Sequence, residues 1–121
     1  MSEHRQALGR YGEELAVKHI RQAGLTVLEC NYRCPLGEMD IIAREGETII
    51  FIEVRTRSTG SRGWGEESIT AKKRERLYRI ATHYLKYRNY KEWPSLRFDL
   101  IAIRCQDQEG KQPDIIWIRG I

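Results

Sequence analysis

The sequence has few cysteines and no long apolar run. Its three cysteines are odd in number and sparse, which is not the pattern of a disulfide framework and favours a reducing compartment. No apolar run approaches the ~20 residues that a membrane-spanning helix needs. The first residues, MSEHRQALGRYGEE, lack the apolar core of a signal peptide. We therefore expect a cytoplasmic protein with no membrane partner.

Motifs for several common chemistries are also missing. The sequence contains neither a Walker-type nor a dinucleotide-binding glycine motif. A zinc site needs about four ligands, whereas Cys30, Cys34 and Cys105 are accompanied only by three scattered histidines. No Ser/His/Asp or Cys/His arrangement is suggested by the residues. The cysteines are therefore expected to be inert thiols.

Length and composition predict one folded domain spanning residues 1–121. The 121 residues fall in the usual domain range and are too few for a TIM barrel. Hydrophobic residues make up 40% of the chain, enough to fill a core. The 21 Lys and Arg exceed the 17 Asp and Glu, which gives a net charge of +4. The net charge is small, so the positions of the Lys and Arg residues along the chain are more informative than the net charge itself.

Periodicity and turn signals predict an α/β fold in the order αβββαββ. The predicted elements are a helix at 5–23, strands at 25–30, 39–44 and 48–57, a helix at 70–88, and strands at 96–104 and 114–119. A polar loop is expected around Asn31, Pro35 and Gly37, and a glycine-rich loop at 58–67. The expected hairpin at Glu45-Gly46 makes the sheet mixed, with helices packed on it.

Each predicted helix carries an apolar stripe for packing on the sheet. The stripe of the first helix comprises Leu8, Tyr11, Leu15, His19 and Ala23. Thr70 is placed to cap the second helix. The stripe of that helix comprises Leu77, Ile80, Ala81, Tyr84 and Leu85.

Charged residues share one face of the predicted strand at 48–57. Because side chains alternate along a strand, Glu53, Arg55 and Arg57 lie together. A two-residue turn at 45–46 sets Asp40 opposite Phe51, on the Glu53 face and roughly 7–8 Å from Glu53 on the diagonal. Two carboxylates this close repel each other unless a cation lies between them. Hard oxygen ligands of this kind suit Mg²⁺ or Mn²⁺.

The first helix offers a third carboxylate. Glu14 is followed at helical spacing by two cations, which is typical of a solvated face. Glu13 is followed by Val17 and Ile20 and borders the apolar face. Glu13 is therefore the preferred site residue.

The blocks GRYGEELAVKHIRQAGLTVLECNYRCPLGEMDIIA and FIEVRTR resemble the YraN family of small bacterial proteins. That family is similar to Holliday-junction resolvases of the PD-(D/E)XK nuclease superfamily. The resemblance implies a restriction-endonuclease-like fold, also of order αβββαββ, and a Mg²⁺- or Mn²⁺-dependent endonuclease that hydrolyses phosphodiester bonds in structured or branched DNA. Because related resolvases act as dimers, it also implies a homodimer.

The resemblance assigns roles to four residues. The superfamily's first-helix acid falls on Glu13, its metal-binding Asp on Asp40, and its E-x-K pair on Glu53 and Arg55. Asp40 and Glu53 would hold the metal. The chain departs from the superfamily at Arg55, where Lys is usual, and at Met39, where Pro is usual. Arg in practice keeps its proton, so Arg55 is expected to stabilise phosphate charge and not to act as a base.

A basic segment predicts contacts with a nucleic-acid backbone. Cations crowd the first turn of the second predicted helix, where the helix dipole disfavours them, and a bound polyanion would relieve that conflict. Arg62 and Trp64 in the preceding loop would add a cationic and aromatic lip. The residues expected to contact nucleic acid, most simply DNA, are Arg57, Lys72, Lys73, Arg74, Arg76 and Arg79.

Other interpretations remain open from the sequence. Asp40, Glu53 and Arg55 would also suit a structural ion-pair network, and the basic face an ordinary solvated helix. The protein would then be a nucleic-acid-binding module that has lost cleavage, or a protein-interaction adaptor using a sheet edge and the Trp64 loop. Asp99, in an apolar strand, is expected to be a paired structural carboxylate, with a metal ligand as the alternative.

Overall fold

The computed structural model describes residues 3–58, 69–105 and 112–121. These residues form the αβββαββ order that the sequence predicts. The elements are α1 (Glu3–Gln22), β1 (Thr26–Cys34), β2 (Gly37–Glu45), β3 (Thr48–Ser58), α2 (Ala71–Tyr87), β4 (Ser95–Cys105) and β5 (Asp114–Arg119). This mixed α/β architecture is consistent with a restriction-endonuclease-like fold. The predicted loop at 58–67, with Arg62 and Trp64, lies almost wholly outside the described residues.

The strands form one five-stranded sheet in the order β1-β2-β3-β4-β5. β3 and β4 are parallel, and the other neighbouring pairs are antiparallel. Parallel neighbours need a crossover connection, and α2 lies within it. The start of β2 lies at the end of the sheet where β3 finishes, because these two strands run in opposite directions.

The two helices cover opposite faces of the sheet. Ile50 and Ile52 of β3 belong to the cluster that contains Ala16 and Ile20 of α1. The intervening Phe51 belongs to the cluster that contains the α2 side chains. Since side chains alternate along a strand, the two clusters are the α1 side and the α2 side of the sheet.

Helix α2 matches its predicted packing. Its buried residues are those of the predicted stripe, namely Leu77, Ile80, Ala81, Tyr84 and Leu85. Thr70 is the N-cap, and its Oγ1 accepts a hydrogen bond from the Lys73 amide at 3.1 Å. The cap and the amphipathic pattern therefore agree on where this helix begins and which face it buries.

Helix α1 packs on a different face from the one predicted. Its buried positions are Gly12, Ala16 and Ile20, whereas Tyr11 is 45% exposed. The cause is close approach: a Cβ at Gly12 would collide with Oγ1 of Thr56 on β3. Gly12 and Ala16 form this contact, so the buried face of α1 lies one residue along from the predicted stripe of larger apolar side chains.

The first hairpin also differs from its prediction. β1 continues through the predicted polar loop to Cys34 and pairs there with Gly37, so that residues 35 and 36 form the turn. Asn31 remains inside the strand with φ of 54°. Asparagine is among the few non-glycine residues that tolerate this left-handed region, which is why a loop-like sequence is compatible with a paired strand.

The register of the second hairpin corrects the predicted turn. Glu45 pairs with Thr48, so the turn residues are Gly46 and Glu47, and Phe51 pairs with Ile42 instead of Asp40. Gly46 has φ of 61°, and a II′ turn requires glycine at its first central position. The pairing therefore differs from the predicted one by two residues. Because side chains alternate with a period of two, a shift of two leaves each regular strand residue on its predicted face of the sheet.

Asp99 is fully buried and paired, as predicted. Its carboxylate accepts two hydrogen bonds from Arg97 at 2.9 Å, one from Trp117 Nε1 at 2.9 Å, and one from the Gly120 amide at 3.0 Å. These bonds tie the end of β5 to β4. Among the described residues, neither helix is long and apolar enough to cross a membrane.

Candidate functional site

Asp40 occupies the place where β2 and β3 separate. Paired residues end at Ile41 and Ile52, one position before Asp40 and Glu53. Beyond that point, Asp40 Oδ2 accepts a hydrogen bond from the backbone amide of Val54 at 2.8 Å. Strand amides point along the plane of the sheet toward the neighbouring strand. The Asp40 carboxylate therefore lies in the plane of the sheet, between the two strands.

A break in strand alternation produces this position. Met39 and Ile41 are two residues apart on β2, yet Met39 packs on the α2 side and Ile41 on the α1 side. Regular alternation would place both on one face. Across the β1–β2 ladder, Asn31 has its positive φ at the level of Asp40. The irregular backbone at these two residues brings both side chains within reach of Glu13 on α1.

Glu13 of α1 meets Asp40 there. The two carboxyl groups lie close enough that each affects the pKa of the other. The side-chain amide of Asn31, oriented with its nitrogen toward the acids, donates to Glu13 at 3.2 Å and to Glu38 at 3.1 Å. Glu13 is half-buried, with Val17 and Ile20 on its flank, as the helical spacing predicted.

Burial and crowding of like charges raise the pKa values of both acids. Burial is the main cause for Asp40, and the charges of Glu13, Glu53 and Glu38 add to it. Against the opposing hydrogen bond from Val54, they raise the pKa of Asp40 from 3.8 to about 7. Burial, and then the charge of Glu38, raise the pKa of Glu13 above 4.5 against the hydrogen bond from Asn31. A proton or another cation stabilises this cluster.

Glu53 and Arg55 form an ion pair on β3. Arg55 Nη2 lies 3.1 Å from Glu53 Oε2, and both side chains are largely buried. Ile52 and Val54 pack on the α1 side, so alternation directs Glu53 and Arg55 to the other face. The Asp40 carboxylate thus lies between Glu13 on one side and Glu53 on the other, whereas the sequence predicted one face shared by Asp40 and Glu53.

A groove on the α1 side leads to Asp40. Its lining includes the carboxylates of Glu13 and Asp40 and the cations Arg10, Lys18 and Arg21. Sequence reasoning missed these cations, because Lys18 and Arg21 were interpreted only as partners of Glu14. It also missed Asn31 and Glu38. Asn31 bridges Glu13 and Glu38, and no spacing in the sequence indicates that these three residues meet.

The basic face of α2 lies at the same end of the sheet. A second groove is lined by Leu36, Thr70, Lys72, Lys73, Glu75, Arg76 and Arg79. Leu36 immediately precedes β2, whose start lies where β3 finishes, so this groove is near the end of β3 that carries the exposed Arg57. Glu75 is paired with Arg79 at 2.9 Å. Arg74 is exposed and lines a neighbouring groove with Tyr78 and Phe98.

The donor set at Asp40 consists of carboxylate oxygens. Within residues 3–58, 69–105 and 112–121, no group of three or more His, Cys, Asp or Glu side chains is arranged to hold a metal ion. Mg²⁺ commonly needs only one or two protein carboxylates, together with waters and substrate phosphates. Asp40 and Glu53 are compatible with that smaller requirement.

Comparison with known proteins identifies the family. The chain matches the Uncharacterised protein family UPF0102 over residues 12–103. It is 98% identical over 121 residues to a UPF0102 protein of Desulfitobacterium hafniense, covering 100% of both chains. A UPF0102 protein of Moorella thermoacetica is 46% identical over 109 residues, 90% of each chain. Another, from Legionella pneumophila strain Corby, is 40% identical over 116 residues, covering 95% of this chain and 93% of its own. The chain therefore belongs to the UPF0102 (YraN) family, as its motifs predicted.

Proposed function

We propose that the protein is a metal-dependent nuclease that hydrolyses phosphodiester bonds in structured or branched DNA. The observation that carries the proposal is the position of Asp40, held between β2 and β3 with Glu13 on one side and Glu53 on the other. A fold stabilised only by packing gains nothing from several acids in mutual repulsion. A site for a divalent cation and a phosphate explains them.

Asp40 and Glu53 are the residues that would hold the cation. Their oxygens are hard ligands, which suits Mg²⁺ or Mn²⁺ better than Zn²⁺. When bound there, the ion would lower the pKa of an attacking water and polarise the scissile phosphate. Asp40 must give up its proton for the cation to bind, so binding is expected to release protons and to weaken below about pH 7.

The other residues supply positioning and charge. Glu13, held by Asn31, is placed to accept a hydrogen bond from water next to Asp40. Arg55 keeps its proton and provides a fixed positive charge beside Glu53. Arg57 and the basic face of α2, at the same end of the sheet, would contact the backbone of the nucleic acid.

A second candidate function is a nucleic-acid-binding module without cleavage. The ion pair between Glu53 and Arg55 favours it, because it engages a carboxylate that a metal site would use. Arg55 also stands where the superfamily usually has Lys. The two candidates share the basic face and differ at Glu53.

A cleavage assay with a matched control tests the proposal. Four-way junction, flap, duplex and single-stranded DNA, and their RNA counterparts, are incubated with Mg²⁺ or Mn²⁺. We expect cleavage of branched DNA by the wild type, loss of cleavage in Glu53→Gln, and retention in Glu47→Gln, which removes the same charge from the exposed turn between β2 and β3, at the opposite end of β3 from Arg57. Calorimetric Mg²⁺ titration of the same proteins should show binding that Glu53→Gln weakens.

Two results would contradict the proposal in different ways. DNA binding with no metal response and no cleavage would favour the binding module. Absence of binding to DNA and to RNA would exclude both candidates.

The expected match to a two-fold-symmetric junction further requires two copies of the chain, so light scattering should give twice the 14.3 kDa of one chain.

A further inference from the structure

Two half-exposed aromatic rings lie beside the basic face of α2. Tyr78 and Trp93 are each 49% exposed, and their ring centroids are 6.4 Å apart. Phe98 of β4 supports Tyr78 at 6.3 Å and itself packs against the α2-side core. Tyr78 is thus held in place by its neighbours while half of its surface stays in contact with water.

Cations flank this aromatic pair. On one side of Tyr78, a groove is lined by Arg74, Leu77, Phe98 and Ile121. On the other side, a groove includes Arg79 and Lys86 in its lining. Glu75, which lines both grooves, is paired with Arg79. The surface around the rings is therefore positive, which disfavours an apolar or basic protein partner and favours a polyanion.

The combination of exposed rings and cations points to one chemical class of ligand. Bases of single-stranded nucleic acid stack on aromatic side chains while cations follow the backbone. A paired base inside a duplex has both faces covered and cannot use such a ring. Two exposed rings side by side are more informative than a single exposed ring, because single exposed apolar residues are common on protein surfaces.

We propose that Tyr78 and Trp93 form a stacking platform for unpaired nucleotides, next to the phosphate-binding face of α2. The inference rests on the proposed function, because it takes the ligand to be a nucleic acid. It narrows the substrate class to nucleic acids with single-stranded segments, such as flaps, gaps or open junction arms. It does not depend on cleavage.

Fluorescence anisotropy with the full chain tests the platform. The probes are an oligothymidine of about 20 nucleotides, longer than the ~4–16 nucleotides that one binding groove covers, an abasic oligonucleotide with the same backbone, and a duplex of equal length. Tyr78→Leu and Trp93→Leu remove a ring but keep apolar bulk. Tyr11→Leu is the matched control, because Tyr11 is 45% exposed on α1, on the other face of the sheet.

The wild type should bind oligothymidine more tightly than the abasic probe. Tyr78→Leu and Trp93→Leu should each weaken oligothymidine binding about 5- to 100-fold, the range for loss of one stacked base. Their binding of the abasic probe, their melting temperatures and the behaviour of Tyr11→Leu should change little.

Other outcomes separate this inference from the proposed function. Equal wild-type affinity for oligothymidine and the abasic probe, or unchanged affinity in both ring variants, would overturn the platform and leave backbone binding by α2 intact. Failure of the wild type to bind the three probes would overturn the platform, and failure to bind a four-way junction as well would overturn the nucleic-acid proposal and favour a protein partner for these rings. Loss of cleavage alone would leave the platform standing.

Discussion

At the residue scale, Asp40 occupies an electrostatically unfavourable position. Its carboxylate is largely shielded from water, lies near three other acids, and accepts a hydrogen bond from the backbone amide of Val54. Such a position is maintained when the surrounding structure holds the side chain in place, and a bound cation would reduce the repulsion between the acids. Stability and pH therefore report on Asp40 directly.

Asp40→Asn should stabilise the protein above neutral pH. The folded state holds the Asp40 proton up to about pH 7, whereas the unfolded state releases it near 3.8. The free energy of unfolding therefore falls as pH rises between these values, by up to about 4 kcal/mol at about 1.4 kcal/mol per pH unit. Asn keeps an acceptor for the Val54 amide and removes the charge.

Urea denaturation between pH 4 and 8, with EDTA present, measures this effect. Asp40→Asn should flatten the decline, whereas Glu14→Gln, at an exposed position of α1, should not. Mg²⁺ should raise the stability of the wild type more than that of Asp40→Asn. An equal decline with pH in the wild type and Asp40→Asn would show that Asp40 is not the group that titrates.

Arg55 separates the two candidate functions. If the protein cleaves DNA, Arg55→Ala should reduce single-turnover cleavage by about 10²–10³-fold, the scale for loss of one preorganised charge-stabilising donor. Arg55→Lys keeps the charge but loses the planar fork, and should fall between Arg55→Ala and the wild type, or exceed the wild type if Lys restores base chemistry.

The binding module predicts a different result for the same variants. Arg55→Ala would then weaken DNA binding by at most about 1–3 kcal/mol, as for one charged hydrogen bond, with no activity to lose. Glu53→Gln, purified identically, measures contaminating nuclease. Cleavage unaffected by Arg55→Ala would remove Arg55 from the site.

At the element scale, the contact between α1 and β3 sets the position of Glu13. Gly12 touches Thr56, and Glu13 is the next residue along the helix. The helix can approach this closely because Gly12 has no side chain. The catalytic proposal for Glu13 therefore depends on a packing contact that has no chemistry of its own.

Gly12→Ala should weaken both the fold and the site. The added methyl collides with Thr56 and must push α1 away, which costs about 1–3 kcal/mol for overpacking. Gly9→Ala is the control on the same helix: its Cβ meets nothing within 4 Å, so it should stabilise the protein by about 0.5–1 kcal/mol. Urea denaturation and junction cleavage measure both variants. Equal stability of the two variants would contradict the close contact.

This contact also shows how far the sequence predicts the elements. The order of elements and the buried face of α2 follow from periodicity, since large apolar residues recur there at helical spacing. The prediction of the buried face of α1 was wrong because glycine and alanine make its packing contacts. The in-plane position of Asp40 was beyond prediction, since it depends on the separation of β2 from β3 and on the positive φ of Asn31.

At the scale of the whole molecule, the charge is small but unevenly placed. The net charge is only +4, yet cations gather on α2 beside the end of β3 where the acids of the site lie. The cations of α2 and Asp40 thus lie at the same end of the sheet, although the groove to Asp40 opens on the α1 side. Binding strength and catalysis should therefore respond to different substitutions.

Salt dependence measures the contribution of the basic face. Each phosphate contact contributes about 0.9 to the slope of log K against log salt on duplex DNA. Lys72→Ala and Arg76→Ala should therefore each weaken junction binding and reduce that slope by about one, without changing cleavage once the DNA is saturating. Arg44→Ala is the matched control, because Arg44 is exposed on β2 beside Ile49, at the other end of β3 from Arg57. If Arg44→Ala lowers the slope as much as Lys72→Ala does, the phosphate contacts are spread over the surface and α2 has no special role. If all three variants keep the wild-type slope, the basic face is an ordinary solvated helix face.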